Sequence, residues 1–156
     1  MQVKDIMQKN VLAAKRGTTL GQLLTMYKDF HSFPMVPVVE GQELIGVVHM
    51  RSLFDIFKPY HQDILMRNPL SMVSREPTNI FDMEIEEGMG FLVIVVEIMD
   101  TRIVKVHQDQ TLQEAYDLMQ LHTKDAVPVV DDKKQLVGII STFDIVMQIF
   151  KEKGII

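Results

Sequence analysis

The chain repeats itself, and that repetition limits the folds open to it more than any other feature. Val36-Pro37-Val38-Val39 returns as Val127-Pro128-Val129-Val130, and Leu44-Ile45-Gly46-Val47-Val48 returns as Leu136-Val137-Gly138-Ile139-Ile140. Upstream, Lys4-Asp5-Ile6-Met7 matches Val96-Glu97-Ile98-Met99, and Thr18-Thr19-Leu20 matches Gln110-Thr111-Leu112. The offset is 92 at the methionines and at the glycines and 91 at the prolines, which we read as a one-residue difference in the loop before the proline runs. Matches in order on both flanks, with one slip, define one supersecondary unit present twice.

Each copy carries the same local signals. A short Ile-Met segment leads, and a short strand is expected next, at Val11–Ala14 and at Ile103–Val106. A helix then opens at Thr19 or Thr111, with Gln22 or Glu114 three residues on, the pattern of a capping box. Leu20, Leu23, Leu24 and Tyr27 give the first helix an apolar face, and Leu112, Ala115, Tyr116, Leu118 and Met119 do the same for the second. Two β-branched runs around a polar turn, such as Asp131–Gln135, then read as a hairpin. Ser141 with Asp144 caps a closing helix in the second copy. Pro37 and Pro128 belong at a strand start, an edge or a bulge, because proline donates no ladder hydrogen bond. The order is β-α-β-β-α, twice, an α+β chain. Residues 58–94 connect the copies; most of that stretch reads as loop, with Pro59, Pro69, Pro77 and an acidic run at Glu84–Glu87. The apolar run Phe91–Val96 is expected to be covered, since an exposed one is an aggregation hazard.

Composition narrows function by exclusion. The net charge is −5 and the basic residues are scattered, which argues against nucleic-acid binding. With no cysteine there is neither a disulfide framework nor thiolate chemistry. No run is long enough to span a bilayer, so a cytoplasmic, membrane-free protein is the expectation. His31 and His122 occupy equivalent corners of the two copies, and no histidine pair has the spacing of a helical metal site, so no metal is expected. No nucleophile–base set, Gly-x-Gly-x-x-Gly or Walker lysine occurs. The chain does not read as an enzyme.

In order, Ile-Met, Thr-Leu, Val-Pro-Val-Val-Asp and Leu-Val-Gly-Ile-Ile-Ser-Thr-Phe-Asp-Ile-Val resemble the CBS domain, named for cystathionine β-synthase, and the two copies resemble a CBS pair or Bateman module. The first repeat covers residues 2–57 and the second 95–151. The resemblance implies two β-α-β-β-α repeats packed with pseudo-two-fold symmetry, two clefts between them, and frequent homodimerisation. It implies a regulatory module that binds an adenosine-containing ligand: AMP, ADP, ATP, S-adenosylmethionine, NAD or a cyclic dinucleotide. No cofactor is required, and a protein target is the natural recipient of the signal.

Gly138-Ile139-Ile140-Ser141-Thr142-Phe143-Asp144 matches the family's ligand pattern in full. A carboxylate in a first helical turn accepts from both hydroxyls of a ribose, and a helix N-terminus favours phosphate. By resemblance, the adenine pocket facing Asp144 comes from Lys9, Asn10, Val11, Pro34, Met35 and Val36, with Ile139, Ser141 and Phe143 completing the site. As an isolated motif, Ser-x-x-Asp is only a cap; inside a tandem repeat, ligand binding is the preferred reading. The first copy departs from the pattern: His49 stands in place of Ser141, and Ser52 in place of Asp144. Ser52-Leu53-Phe54-Asp55 is itself a capping pattern, which would start that helix three residues late. The second cleft would use His49, Ser52, Thr101, Arg102, Ile103, Asp125 and Ala126. Lacking the acid, it is expected to be weak, empty or altered in preference, with His49 and Arg51 able to serve phosphate. The alternative function is a ligand-free dimerisation or protein-interaction module.

Overall fold

The computed structural model describes residues 1–31, 35–49, 51–53 and 88–156. Most of the connector, together with Pro34, Phe54 and Asp55, lies outside the described residues. The elements in chain order are α1 (Val3–Ile6), β1 (Ala14–Lys15), α2 (Leu20–Tyr27), β2 (Val36–Glu40), β3 (Glu43–Val48), α3 (Met89–Leu92), α4 (Val95–Ile98), β4 (Val106–His107), α5 (Leu112–Leu121), β5 (Ala126–Val130), β6 (Leu136–Ser141) and α6 (Thr142–Glu152). Residues 51–53 are also helical. They form two three-stranded sheets, ordered β1-β2-β3 and β4-β5-β6, each with one parallel and one antiparallel pairing.

Local chemistry accounts for most of these boundaries. The Thr19 hydroxyl accepts from Gln22 N at 3.2 Å while the Gln22 side chain accepts from Thr19 N at 3.0 Å. Thr111 and Glu114 repeat the exchange at 3.2 and 2.8 Å. Both capping boxes therefore stand where the spacing places them. Each proline sits one residue before the stretch that pairs with the parallel neighbour: Ala14 pairs with Val38 and Val106 with Val129. Pro37 is the second residue of β2 and Pro128 the third of β5, each paired on the antiparallel side and lying before the parallel pairing begins, where proline's missing N–H leaves that ladder intact. The expected lead strands are shorter and later than their apolar runs, at Ala14–Lys15 and Val106–His107. In the first copy the Tyr27 hydroxyl takes the Leu12 carbonyl at 2.7 Å, so that carbonyl is bonded by a side chain before the ladder begins. Two compensating slips explain the offsets. The path from Leu112, which opens α5, to Val127 is one residue shorter than the path from Leu20, which opens α2, to Val36. The second hairpin is one residue longer, with five residues between Val130 and Leu136 against four between Val39 and Leu44.

The leading Ile-Met segments do not pack on their own repeats. Val3 and Met7 are buried with Val106, Met119, Val129 and Ile140 in the core of the second repeat. Val95 is buried with Ala14, Leu23, Val38 and Val48 in the first, and Met99 packs against that cluster. Two glycines receive the exchanged methionines. A Cβ on Gly138 would lie 2.7 Å from Met7 Sδ and 2.9 Å from the Gln8 carbonyl, and one on Gly46 would collide with Met99 Sδ. The exchange continues in hydrogen bonds. Gln8 and Ile139 exchange main-chain bonds of 2.9 and 3.0 Å, and Val47 and Asp100 do so at 3.0 and 2.8 Å. The hairpin tips also meet, with Leu44 N donating to Lys134 O at 3.3 Å and Leu136 N to Gln42 O at 2.9 Å. Each of these main-chain bridges, hairpin-tip bonds and glycine seats has its counterpart at an offset of 92, so the two halves are related by a pseudo-two-fold axis.

Two expectations need correction. The stretch Phe91–Val96 is not covered throughout: it spans α3 and the start of α4, with Val95 buried but Phe91 80% and Leu92 73% exposed. Helix α3 instead packs against α2 where Gly21 and Gly90 approach, a Cβ on Gly21 falling 3.1 Å from the Gly90 carbonyl. The helix after β3 does not start late either; Arg51, Ser52 and Leu53 are already helical.

The glycine seats predict an asymmetric cost. Gly138→Ala meets a backbone carbonyl as well as a thioether, whereas Gly46→Ala meets only the flexible Met99 side chain. Urea unfolding should show Gly138→Ala destabilised by roughly 2–3 kcal/mol and Gly46→Ala by less. Adding Met99→Ala to Gly46→Ala should recover part of the loss. Equal, additive losses would contradict this packing.

Candidate functional site

The exchange also builds the clefts. Because Gln8 bridges to Ile139, residues 9–11 are carried past the N-terminus of α6; because Asp100 bridges to Val47, residues 101–104 are carried past the corresponding end of the first repeat. The same topology therefore makes two sites whose side chains differ.

At the first, Ser141 caps α6. Its hydroxyl accepts from Asp144 N at 3.1 Å and donates to Asp144 Oδ2 at 2.6 Å, and Ser141 N donates to the same oxygen at 2.8 Å. Asp144 Oδ2 is thus committed to the cap. Asp144 Oδ1 accepts one bond, from the exposed Gln8 side-chain amide at 3.1 Å. Gln8 was not singled out in the sequence, and only the Gln8–Ile139 bridge puts it there. The half-buried carboxylate therefore keeps one oxygen held by a single mobile donor, which a ligand hydroxyl can replace. Lys9 and Asn10 are exposed and Val11 half-buried, with Val11 N closing a turn on Lys9 O at 3.1 Å. Ile139 is half-buried, and Phe143 is 68% exposed rather than enclosed. Val36 does not line a cleft with its side chain, which is wholly buried in the first repeat's core. Pro34 lies outside the described residues. The Thr142 hydroxyl, which the sequence reading passed over, is buried with no hydrogen-bond partner beside this cap.

At the second site, His49, Arg102 and Ala126 come together, with Met35, Val47, Val104 and Lys124, around a small cavity. Met35, assigned by sequence to the Asp144 cleft, lines this cavity. Ser52 N donates to His49 O at 2.9 Å, the first bond of the helix, and no carboxylate occupies the place that Asp144 holds in the other repeat. Asp125 is exposed and its carbonyl accepts from Thr142 N at 2.8 Å. Thr101 is exposed and Ile103 half-buried. Arg102 is 95% exposed at its side chain, its N bonding Asp100 Oδ1 at 2.9 Å and its Nε lying 3.9 Å from the same oxygen. Burial holds the His49 imidazole below the ordinary histidine range; the Lys124 ammonium adds to this and Asp100 opposes it. Among the described residues no group of three or more histidine, aspartate or glutamate side chains is placed to hold a metal ion, and no helix is long and apolar enough to cross a membrane.

Two α+β repeats of this topology, joined by exchanged lead segments and enclosing paired clefts, are the architecture of a tandem CBS pair. The profile of the CBS domain matches residues 3–58 and 95–151, and the chain belongs to that family. A curated relative, an uncharacterised protein of Methanocaldococcus jannaschii, is 24% identical over 153 residues, covering 94% of this chain and 89% of its own length. Among solved structures, a hypothetical conserved protein of Geobacillus kaustophilus superposes with a TM-score of 0.72 at 20% identity, covering 97% of this chain and 98% of its own. CBSX2 in complex with AMP gives 0.69 at 19% identity, with coverage of 97% and 98%. A Methanocaldococcus jannaschii CBS pair in complex with 5′-methylthioadenosine and S-adenosyl-L-methionine gives 0.65 at 20%, with the same coverage.

The His49 environment is testable by NMR titration. Its midpoint should fall below the 6.5 of a free imidazole, rise in Lys124→Ala and fall further in Asp100→Asn. Because the unfolded chain then binds the proton first, this group's contribution to stability is intact above about pH 6.5 and diminishes as pH drops through the interval below it. A midpoint unmoved by Lys124→Ala would contradict the arrangement.

Proposed function

We propose that the chain is a regulatory module that binds an adenosine-containing nucleotide in the Asp144 cleft and does no chemistry of its own. The observation that carries this reading is the state of the Asp144 carboxylate. One oxygen is fixed by the cap, and the other faces the segment after Gln8 with one exchangeable donor. A ribose hydroxyl can take the place of that donor on Oδ1, and the N-terminus of the 11-residue α6 favours an adjoining phosphate. Lys9, Asn10, Val11 and the neighbouring main chain would read the adenine edge. Complexes of similar folds with AMP, with S-adenosylmethionine and with ATP support the ligand class.

A second reading, dimerisation or docking without ligand, has its own observation. Leu24 and Tyr116, equivalent in the two repeats, are 45% and 38% exposed, and Val146, Met147, Ile149 and Phe150 on α6 are 41–49% exposed. Apolar side chains in equivalent positions suit a homodimer. The two readings are compatible, and a dimer would carry a ligand-dependent change to a protein target.

Thermal unfolding with a panel of AMP, ADP, ATP and S-adenosylmethionine tests the first reading. A ligand present at about 100 times its Kd should stabilise the protein by about 2.7 kcal/mol. Asp144→Ala should remove that increment beyond its own lowering of the baseline from the lost cap. No increment with any of the four, or an undiminished one in Asp144→Ala, would reject it.

A further inference from the structure

The two clefts differ in charge as well as in pattern. Beyond His49, an open groove of about 610 Å³ runs between the lead-in to β4 and the C-terminal end of α5. Arg102, Lys105, His122 and Lys124 line it over an apolar floor that includes Val104 and Leu118. It shares Arg102, Val104 and Lys124 with the small cavity at His49, so the groove and that cavity are continuous. None of its lining residues is acidic. Among the described residues, Lys105 and Lys124 have no carboxylate within ion-pair distance, and Asp100 reaches Arg102 Nε only at 3.9 Å. At the positions equivalent in sequence the first repeat carries Asn10 for Arg102, Ala13 for Lys105 and Phe33 for Lys124. His31 alone keeps its counterpart, His122. The repeat that lacks the ribose-binding acid thus faces three cations its twin does not have.

A carboxylate such as Asp144 suits a neutral diol and opposes an anion. Three cations beside an apolar floor, countered only by Asp100 at 3.9 Å from Arg102 Nε, do the reverse. We propose that this groove binds an oligophosphate, held by Arg102, Lys105 and Lys124, either free or as the phosphate tail of a nucleoside triphosphate. Arg102 supplies a planar fork for two phosphate oxygens, and the two lysines act as point charges on the remainder. The site is separate from the Asp144 cleft and does not depend on a ligand there.

Calorimetric titration of the full chain with sodium tripolyphosphate at low ionic strength tests this. Saturable binding is expected, weakening as salt is added. Arg102→Gln, Lys105→Gln and Lys124→Gln should each raise the Kd by about tenfold or more, the loss of one charge-assisted bond. Arg102 and Lys105 are exposed, so their replacements leave the fold intact and report on the groove alone. Asp144→Ala should leave tripolyphosphate affinity unchanged, which separates this site from the nucleotide reading. Competition by ATP but not AMP identifies the tail of a nucleotide as the natural source, and absence of competition by either identifies a free oligophosphate; both uphold the site. Absence of tripolyphosphate binding, or a Kd within about twofold of wild type in all three variants, overturns the proposal.

Discussion

The structure depends on the seating of Met7 over Gly138 and of Met99 over Gly46. Each methionine comes from the lead segment of one repeat and fills the space that a side chain on the other repeat's last strand would occupy. Neither repeat therefore owns a complete core. Val3 and Met7 close the second cluster and Val95 with Met99 closes the first. The chain immediately after each methionine then bonds to the last strand beside it. That bond covers an otherwise open sheet edge and leaves residues 9–11 and 101–104 across from a helix start. Core, edge protection and clefts are consequences of a single exchange.

On a scaffold this symmetric, function resides in departures from symmetry. Backbone bridges, hairpin-tip bonds and glycine seats all occur twice, at one offset. The residue types at equivalent positions do not. The sequence sets Ser52 against Asp144, His49 against Ser141, and Asn10, Ala13 and Phe33 against Arg102, Lys105 and Lys124. A protein selected only for packing has little reason to separate its charges in this way. The separation suits two clefts of unlike preference, one turned toward a ribose and the other toward anionic groups.

Features whose cause lies within a few residues were legible in the sequence. The Thr19–Gln22, Thr111–Glu114 and Ser141–Asp144 caps and the two hairpins all follow from spacing and stand where it places them. The exchange was not legible, because the Ile-Met and Gly matches are the same whether Met7 meets Gly46 or Gly138; only the path of the chain decides. Gln8 was missed for the same reason, as its contact with Asp144 spans most of the chain. Lys105, His122 and Lys124 are scattered along the sequence and form a groove only once α5 turns back toward β4. The lead strands were placed too early because Val11–Ala14 is apolar throughout and Ile103–Val106 is apolar except at Lys105, whereas pairing with β2 and β5 extends over two residues each.

Exchange of core residues makes a definite demand on unfolding. If each repeat completes the other's core, the two cannot unfold separately. Equilibrium urea denaturation followed by NMR at the amides of Val38 and Val129, one buried in each sheet, tests this directly. The account predicts coincident midpoints and slopes, in the wild type and in Gly138→Ala alike. A variant in which Val129 is lost at a lower urea concentration while Val38 stays native would contradict it.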